Sequence, residues 1–263
     1  MEKIPCAHWQ AVSKLAKLYQ KDVLSAPLDP YDCLLRRDPL LEKIFALADY
    51  GVAIFDASKA SYIYISESLE HMLSYRADAF RAGGLAFAFS IVHPDDVLAV
   101  VQILEKELDF LQTLPVDQRL EHRSSYDYRF RRADGTYIRV LQRNTVLALD
   151  ADGRLLHRLI VLTDISHLKK DDSRILNLNT ERDFGNAYTY NTVEHTIVKD
   201  NFPSKRELQV LKLLGAGRTS KQIATELAIS VHTVETHRRN MLAKANVKDT
   251  SKLVSLALAS GLI

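Results

Sequence analysis

The sequence has little of what secreted, metal-binding and membrane-spanning proteins depend on. Its two cysteines, Cys6 and Cys33, are too few for a disulfide framework, and their spacing matches no metal site. No run of eighteen apolar residues occurs, and the first residues lack the apolar core of a signal peptide. We therefore expect a cytoplasmic protein that does not associate with a membrane.

Glycine is also scarce, which argues against enzyme classes whose motifs depend on it. The nine glycines form no phosphate-cradling loop and no Gly-x-Ser-x-Gly elbow, and no His-x-x-x-His pair is present to bind a metal. We predict that the protein is not an enzyme, with no catalytic residue, no metal site and no cofactor.

Charge is nearly balanced over the whole chain but unevenly distributed along it. From Asp200 to the C-terminus ten Lys or Arg stand against five Asp or Glu, a net charge of +5, so the preceding residues carry −3 of the total of +2. A length of 263 residues with 47% hydrophobic content is sufficient for two hydrophobic cores. A basic module that follows a mildly acidic one fits phosphate binding by the C-terminal part.

The most informative stretch lies in this basic module, from Val231 to Ala245. At 3.6 residues per turn, Val234, Met241 and Ala245 fall on one side of a helix, and the opposite side carries no large apolar residue. The opposite side has residue types that donate to base edges and phosphates in a groove wide enough for a helix. Its polar residues are Glu235, Thr236, Arg239 and Asn240, with Thr233, His237 and Lys244 at one rim.

Signals for helix boundaries place three more short helices around this one. Two capping boxes predict helix starts upstream, and a turn of the length that joins helix-turn-helix pairs precedes the candidate reading helix. A glycine ends the first helix and a serine caps the reading helix. These signals are Ser204 with Glu207, Thr219 with Gln222, Gly217, the turn Ala228 to Ser230, and a fourth helix from about Thr250 to Ser260.

Together these residues resemble the LuxR/FixJ-type DNA-binding domain of bacterial transcription regulators. The resemblance covers about sixty residues without a gap. Within them the family pattern is matched at about a dozen spaced positions, which makes the resemblance specific. A solvated face on an ordinary helical bundle is the alternative, and the joint pattern of caps, turn and polar face argues against it. The matching positions include Lys221-Gln222-Ile223-Ala224, Ile229-Ser230, Thr233-Val234, His237, Asn240 and Met241.

The resemblance implies which side chains touch DNA. Base contacts are implied for Glu235, Thr236 and Arg239. Arg238 points toward the packing side, so we expect its stem over the core and only its tip near a phosphate. Because one short helix reads few bases, we also expect a homodimer on double-stranded DNA. Phosphate contacts are implied for Lys221, Thr233, His237, Arg238, Asn240 and Lys244.

The first part of the chain predicts two helices and then an antiparallel sheet. Helices are expected at 7–24 and from Asp38-Pro39 onward, and they either pack within the monomer or pair with a second copy. Alternating residues predict strands, and Asp-Gly pairs between the last three indicate hairpins. A helix is expected to start at His93-Pro94. The strands are expected at 52–55, 62–65, 126–132, 137–149 and 155–163, with Asp134-Gly135 and Asp152-Gly153 as turns.

This pattern, ending in Asp164-Ile165-Ser166, resembles a PAS sensor domain. The expected fold is an α+β PAS-like antiparallel sheet domain with N-terminal helices, plus an all-α four-helix LuxR-type helix-turn-helix domain. Tyr126, Tyr128 and Phe130 should line an apolar inner face, with the residues between them outside. The expected division is an N-terminal helical cap at 1–37, the PAS-like domain at 38–168, a linker at 169–202 and the DNA-binding domain at 203–263.

The resemblance leaves the signal open. Many PAS domains hold a small ligand between the sheet and the helices, so an unidentified small molecule is a possible partner. A photoactive flavin would need a cysteine within the domain, and haem would need an axial ligand such as His71 or His93, of which His93 already serves the helix start. We expect a transcription regulator whose PAS-like domain senses a signal, or alternatively one whose PAS-like domain is only a dimerisation or docking scaffold.

Overall fold

An antiparallel sheet organises the chain up to residue 200. The computed structural model describes residues 6–20, 38–167, 174–179, 186–191, 196–200, 203–245, 247–259 and 263. The strands are β1 (Tyr50–Asp56), β2 (Ser61–Ile65), β3 (Arg123–Arg131), β4 (Tyr137–Leu149), β5 (Leu155–Asp164), β6 (Arg174–Asn179), β7 (Asn186–Asn191) and β8 (Thr196–Asp200). They lie in the order β2-β1-β5-β4-β3-β6-β7-β8, and every neighbouring pair is antiparallel.

Within the described ranges, six helices accompany the sheet and four follow it. None of the helices among the described residues is long and apolar enough to cross a membrane. The first six are α1 (Cys6–Gln20), α2 (Pro39–Leu47), α3 (Glu67–Leu73), α4 (Ala77–Ser90), α5 (Pro94–Thr113) and α6 (Val116–Arg119). The last four are α7 (Lys205–Gly215), α8 (Ser220–Glu226), α9 (Val231–Lys244) and α10 (Thr250–Ala259).

The first five strands form the predicted sheet, and their hairpins turn where the Asp-Gly pairs were expected. Gly135 and Gly153 have φ angles of 89° and 77°, which side-chain-bearing residues rarely adopt. The three aromatic residues of β3 are buried on the inner face, as predicted. Asp127 lies on the opposite face beside Leu141, as the alternation predicted, but it is buried there and forms an ion pair with Arg139.

The N-terminal helix α1 packs against the same core as the sheet. Its Val12, Leu15 and Tyr19 are buried and belong to the main hydrophobic cluster. Of the two roles expected for the front helices, packing within the monomer is therefore the one seen for α1. Helix α2 starts at the predicted Asp38 cap and leaves Leu47 exposed.

The predicted start of α5 is confirmed, and it fixes this helix to β3. His93 is the N-cap, and its Nδ1 accepts a hydrogen bond from the Asp95 amide at 3.3 Å. Asp96 is fully buried and accepts three hydrogen bonds from Arg129, one from its backbone amide and two from its guanidinium. The carboxylate at the positive end of the helix thus also joins α5 to the sheet.

The segment 169–202, expected to be a weakly patterned linker, contains three strands. Ile175 and Leu178 lie in β6, which pairs with β3 and so extends the predicted sheet. Strand β7 pairs with β6, and β8, which covers 196–200, pairs with β7. Strand pairing with a distant edge is a nonlocal interaction, so local periodicity did not predict it.

The four C-terminal helices form a separate core, with the predicted boundaries. Ser204 with Glu207 and Thr219 with Gln222 form capping boxes at the starts of α7 and α8. Gly217 takes a left-handed φ of 74° after α7, as expected for a helix end. The buried residues of this core are Val210, Leu211, Ile223, Ala224, Val234, Met241, Leu253 and Ala257.

Replacement of Gly84 by alanine should destabilise the sheet domain. Gly84 has a φ of 51° and ψ of −141°, and an added Cβ would lie 2.6 Å from the Ala60 carbonyl oxygen. We expect Gly84→Ala to cost about 2 kcal/mol or more, because strain and overlap add. Gly135→Ala is the matched control: its φ is also positive, but no atom lies within 4 Å of the new Cβ, so it should cost about 1 kcal/mol.

The measurement is urea unfolding of the full chain followed by near-ultraviolet circular dichroism. Residues 203–263 contain no tyrosine or tryptophan, so this signal reports the N-terminal domain. Equal midpoints for the two variants would show that contact with Ala60 does not constrain this position.

Candidate nucleic-acid interface

The rotation of helix α9 about its axis is fixed by a narrow apolar stripe. Val234 and Met241 are fully buried, and Ala245 just beyond the helix end is partly buried against the same core. Ser230 caps the helix by accepting a hydrogen bond from the Thr233 amide at 3.0 Å. This is the rotation that the sequence predicted, so the polar side of α9 points away from the core.

The polar side of α9 contains side chains that have no polar partner in the part of the chain that the structure describes. Arg239 and Asn240 are exposed, and Thr236 is half-buried. Among the described residues, none of these three side chains makes a hydrogen bond or ion pair with another group. Their donors and acceptors are therefore available to an external partner. The major groove of DNA is wide enough to admit a helix with such a side.

Arg238, one position before Arg239, is instead used inside the domain. Its Nη1 donates to Ser220 Oγ at 2.8 Å, and its Nη2 donates to Thr250 Oγ1 at 2.8 Å. The guanidinium therefore links α9 to the first residues of α8 and α10. The tip, which was assigned to phosphate, is held by these two hydroxyls.

Glu235 is exposed, yet it also belongs to this arrangement. Its Oε1 lies 2.9 Å from Arg238 Nη1. A hydrogen bond from Ser220 and the charge of Arg238 hold the pKa of the Glu235 carboxyl below its usual range. The carboxylate is thus ionised at neutral pH and partly satisfied, which leaves fewer of its lone pairs for a cytosine amino group.

Lys244, at the end of α9, is bound to a carboxylate of the first helix of the domain. Its Nζ lies 3.0 Å and 3.2 Å from the two carboxylate oxygens of Glu207. Burial raises the pKa of Glu207, but hydrogen bonds from Ser204 and Lys244 outweigh it and lower the pKa overall. The ammonium assigned to phosphate therefore balances an internal charge at the same time.

The remaining predicted phosphate contacts lie around the rim of the polar side. Lys221 is exposed in the first turn of α8, and its side chain makes no polar contact among the described residues. Thr233 is half-buried, with its hydroxyl 2.8 Å from Ser230 Oγ, and His237 is half-buried on the next turn. The structure thus brings the nine predicted residues onto α9 and the start of α8.

Sequence reasoning missed the internal roles of Arg238 and Lys244. The signal for Lys244 was partly visible, since Glu207 was recognised as a capping-box residue, but its closeness to Lys244 depends on the packing of α7 on α9. The Arg206 guanidinium was also missed; its Nη2 donates to the Leu227 carbonyl at 2.6 Å and holds the turn between α8 and α9. Contacts between helices of this kind are not encoded in local spacing.

Neither histidine considered for haem is placed to ligate it inside the PAS-like domain. His71 is exposed on α3, and His93 is engaged as the cap of α5. Among the described residues, no group of three His, Cys, Asp or Glu side chains is arranged to hold a metal ion.

The fold and the site define a class of protein: an α+β PAS-like sheet domain followed by a four-helix helix-turn-helix domain. The PAS fold model matches residues 62–161, and the model for bacterial regulatory proteins of the luxR family matches residues 204–257. The chain therefore contains a PAS domain followed by a LuxR-type domain, as the sequence motifs indicated.

The curated relatives share the C-terminal domain. The transcriptional regulatory protein FixJ of Rhizobium meliloti is 50% identical over 58 residues, which are 22% of this chain and 28% of FixJ. The oxygen regulatory protein NreC of Staphylococcus carnosus is 43% identical over 60 residues, 23% of this chain and 28% of NreC. The chain thus spans little more than a quarter of the length of these two relatives.

Among solved structures, the VqmA dimer of Vibrio cholerae is 16% identical, with 85% of this chain and 88% of that chain covered. The TM-score of this match is 0.33.

Arg238→Ala should loosen the helix-turn-helix domain, whereas Arg239→Ala should not. Arg238→Ala removes hydrogen bonds to two neighbouring helices, so we expect it to lower the free energy of unfolding of this domain by roughly 2 kcal/mol. Arg239 is exposed, so Arg239→Ala should change that free energy by less than about 0.5 kcal/mol. Hydrogen exchange measured by mass spectrometry on peptides from 220–258 reports this difference. Equal protection in the two variants would contradict the internal role of Arg238.

Proposed function

We propose that this protein is a cytoplasmic transcription regulator that binds double-stranded DNA as a homodimer. The observation that carries the proposal is the polar side of α9, where Arg239 and Asn240 are exposed and unpaired in a domain matched by the luxR family model. A helix with such a side fits the major groove, where base edges differ most. The excess of basic residues after Asp200 supports attraction to the phosphate backbone.

Two copies are required because a single short helix contacts few base pairs. Twofold symmetry would place the two α9 helices about one turn of DNA apart, roughly 34 Å or a multiple of it. The proposed homodimer then recognises two half-sites related by the same symmetry.

The proposed contacts follow from what each side chain has free. Thr236 and Arg239 are assigned to bases, and Glu235 to a base through the lone pairs that Arg238 and Ser220 leave open. Lys221, Thr233, His237 and Asn240 are assigned to phosphates. Arg238 and Lys244 contribute to phosphate binding only through N–H groups that are not already bonded to Ser220, Thr250 and Glu207.

Arg239→Ala and Lys221→Ala should separate base reading from phosphate binding. Loss of Arg239 should weaken binding by roughly 1–3 kcal/mol and relax preference at one base position. Loss of Lys221 should weaken all sequences alike and lower the slope of log affinity against log salt by about one unit. Lys221 is a cleaner probe than Lys244, whose removal also leaves the buried Glu207 unpaired.

Selection of bound sites from random duplexes, followed by titrations over a series of salt concentrations, provides both measurements. If the Lys221 variant changed base preference and the Arg239 variant did not, the proposed orientation of α9 on DNA would be wrong.

For the PAS domain we propose a sensor role: a signal changes how the domain is packed, and this alters how the two LuxR-type domains are presented to DNA. In support, a cavity of about 40 Å³ lies inside the domain, between the sheet and the helices, and a buried arginine, Arg158, is part of its wall. A space of this kind, lined mainly by apolar and aromatic side chains with Arg158 and Gln142 among them, supports a sensor more than a completely filled scaffold.

The alternative is a PAS domain that serves only for dimerisation or docking. The exposed apolar residues Leu40, Ile44 and Leu47 of α2 favour it, because they form one apolar side of that helix. Native mass spectrometry and an absorption spectrum of freshly purified protein distinguish the two roles. A small molecule that copurifies supports sensing, and a ligand-free dimer that dissociates on Ile44→Glu substitution supports the scaffold.

A further inference from the structure

The sheet of the N-terminal part has two outer strands, β2 and β8. The outer strand of an open sheet carries backbone N–H and C=O groups that no neighbouring strand pairs with. Such an edge is a template for pairing with a strand of another molecule, so proteins protect it with bulges, prolines, charges or a covering element. The two edges of this sheet differ in that protection.

The edge at β2 is protected in two ways. The register between β1 and β2 shifts in the middle of the pair, because β2 has an extra residue there. Helix α4 is also bonded to the start of this edge. The Leu85 amide donates to the Ala60 carbonyl at 3.0 Å, and Ser61 Oγ donates to the Arg81 carbonyl at 3.1 Å. A further strand would meet an irregular and partly covered edge at β2.

The edge at β8 is regular. Strand β8 pairs with β7 over five residues, Thr196 to Asp200, without a register shift. It contains no proline, and Thr196, Ile197 and Val198 are β-branched residues, which favour strands. Among the described residues, no strand lies on its outer side. Strand β8 thus offers an unbroken ladder of backbone donors and acceptors.

Helix α5 also approaches β8, but it does not cover this edge. The same helix contacts β6 and β8, and β7 lies between these two strands in the sheet. A helix that contacts both strands crosses the face of the sheet. The backbone groups at the outer side of β8 point along the plane of the sheet, where a further strand would add.

A second copy of this chain is the occupant that fits the edge. An edge that pairs with itself in antiparallel fashion is related to its partner by a twofold axis, so each copy satisfies the unpaired groups of the other. The proposed regulator already requires two copies with twofold symmetry. Pairing of this kind closes the assembly at two copies, because no open edge is left at β8.

The charges of β8 agree with self-pairing in the register that uses all five residues. Val198 then lies opposite Val198 of the second copy, Ile197 lies opposite Lys199, and Thr196 lies opposite Asp200. Like charges directly opposite each other destabilise a sheet, and this register has none. An axis at Lys199 would place the two lysines opposite each other and shorten the ladder.

We propose that two copies join through their β8 strands into one continuous antiparallel sheet. This inference rests on the proposed homodimeric function and names the surface that forms the dimer. At about 3.4 Å per residue, Asp200 lies roughly 7 Å from the axis at Val198 in each copy. The two chains leave β8 in opposite directions, so the two LuxR-type domains begin on either side of the axis, as two half-sites related by twofold symmetry require.

The same symmetry places both LuxR-type domains on one side of the joined sheet. The twofold axis between two strands of one sheet is perpendicular to that sheet, so both copies present the same face in the same direction. Arg143 Nη2 of β4 donates to the Leu258 carbonyl of α10 at 3.2 Å, which shows which face the LuxR-type domain contacts. Both domains therefore lie on the side where a single duplex reaches them.

Cysteine cross-linking of the full chain tests the register. With Cys6 and Cys33 replaced by serine, Val198→Cys should form a disulfide between copies, because residues opposite each other in paired strands have Cβ atoms about 4.5–5.5 Å apart. Thr196→Cys is the matched control, since its two copies would lie roughly 14 Å apart. We expect Val198→Cys to cross-link at least about tenfold faster under mild oxidation, followed on non-reducing gels.

Charge variants provide a second measurement that needs no cysteine. Val198→Asp and Val198→Lys each place two like charges opposite each other, so each should raise the dissociation constant of the dimer at least about fivefold. An equimolar mixture of the two variants should restore the dimer, because opposite charges then face each other. Ile44→Glu alters the exposed apolar side of α2 and should leave the constant unchanged. Sedimentation velocity gives the constants, and near-ultraviolet circular dichroism shows that the variants fold.

The inference is overturned if Val198→Cys cross-links no faster than Thr196→Cys, if the mixed charge variants remain monomers, or if Ile44→Glu abolishes the dimer. Binding of the wild type to duplexes selected from a random pool separates this inference from the proposed function. Absence of DNA binding with cross-linking intact would count against the proposed function, whereas DNA binding without the β8 cross-link would count against this inference alone.

Discussion

The C-terminal domain depends on one constraint: α9 must bury a narrow apolar stripe that contains two fully buried residues. Val234 and Met241 lie seven positions apart, almost two full turns, and both are completely buried. Burial of two such side chains is worth roughly 1.5–3 kcal/mol each, which is large compared with the polar interactions of the helix. The core therefore sets the rotation of the helix, and the polar residues face outward as a consequence.

This constraint divides adjacent charged residues into two groups. A step of one residue turns the side chain by 100°, so Arg238 reaches the neighbouring helices while Arg239 reaches solvent. The first group, which also includes Lys244, holds the helices in place, and the second is left for an external partner. The family pattern marks Arg238, Lys244 and Arg239 alike as DNA contacts. The geometry of this domain separates the first two, which bond to other helices, from Arg239, which faces solvent.

Much of the architecture was predictable because it is encoded locally. Asp134-Gly135 and Asp152-Gly153 specify hairpins through their turn conformation, and Ser204 and Thr219 specify helix starts through their capping boxes. What was missed depends on groups far apart in the sequence. The pairing of β6 with β3, the burial of Asp127 and the contact between Tyr19 and Arg158, which are 139 positions apart, all require the folded chain.

The added strands have a mechanical consequence for a protein of this kind. Strand β8 ends at Asp200 and the cap of α7 is Ser204, so only the residues 201–203 lie between the sheet and the LuxR-type domain. Fully extended, four Cα steps reach at most about 14 Å, less than half of the roughly 34 Å between successive turns of the major groove. This connection is too short to set the distance between the two α9 helices in the proposed homodimer. That distance would instead be set by the positions of the two β8 strands, one in each copy.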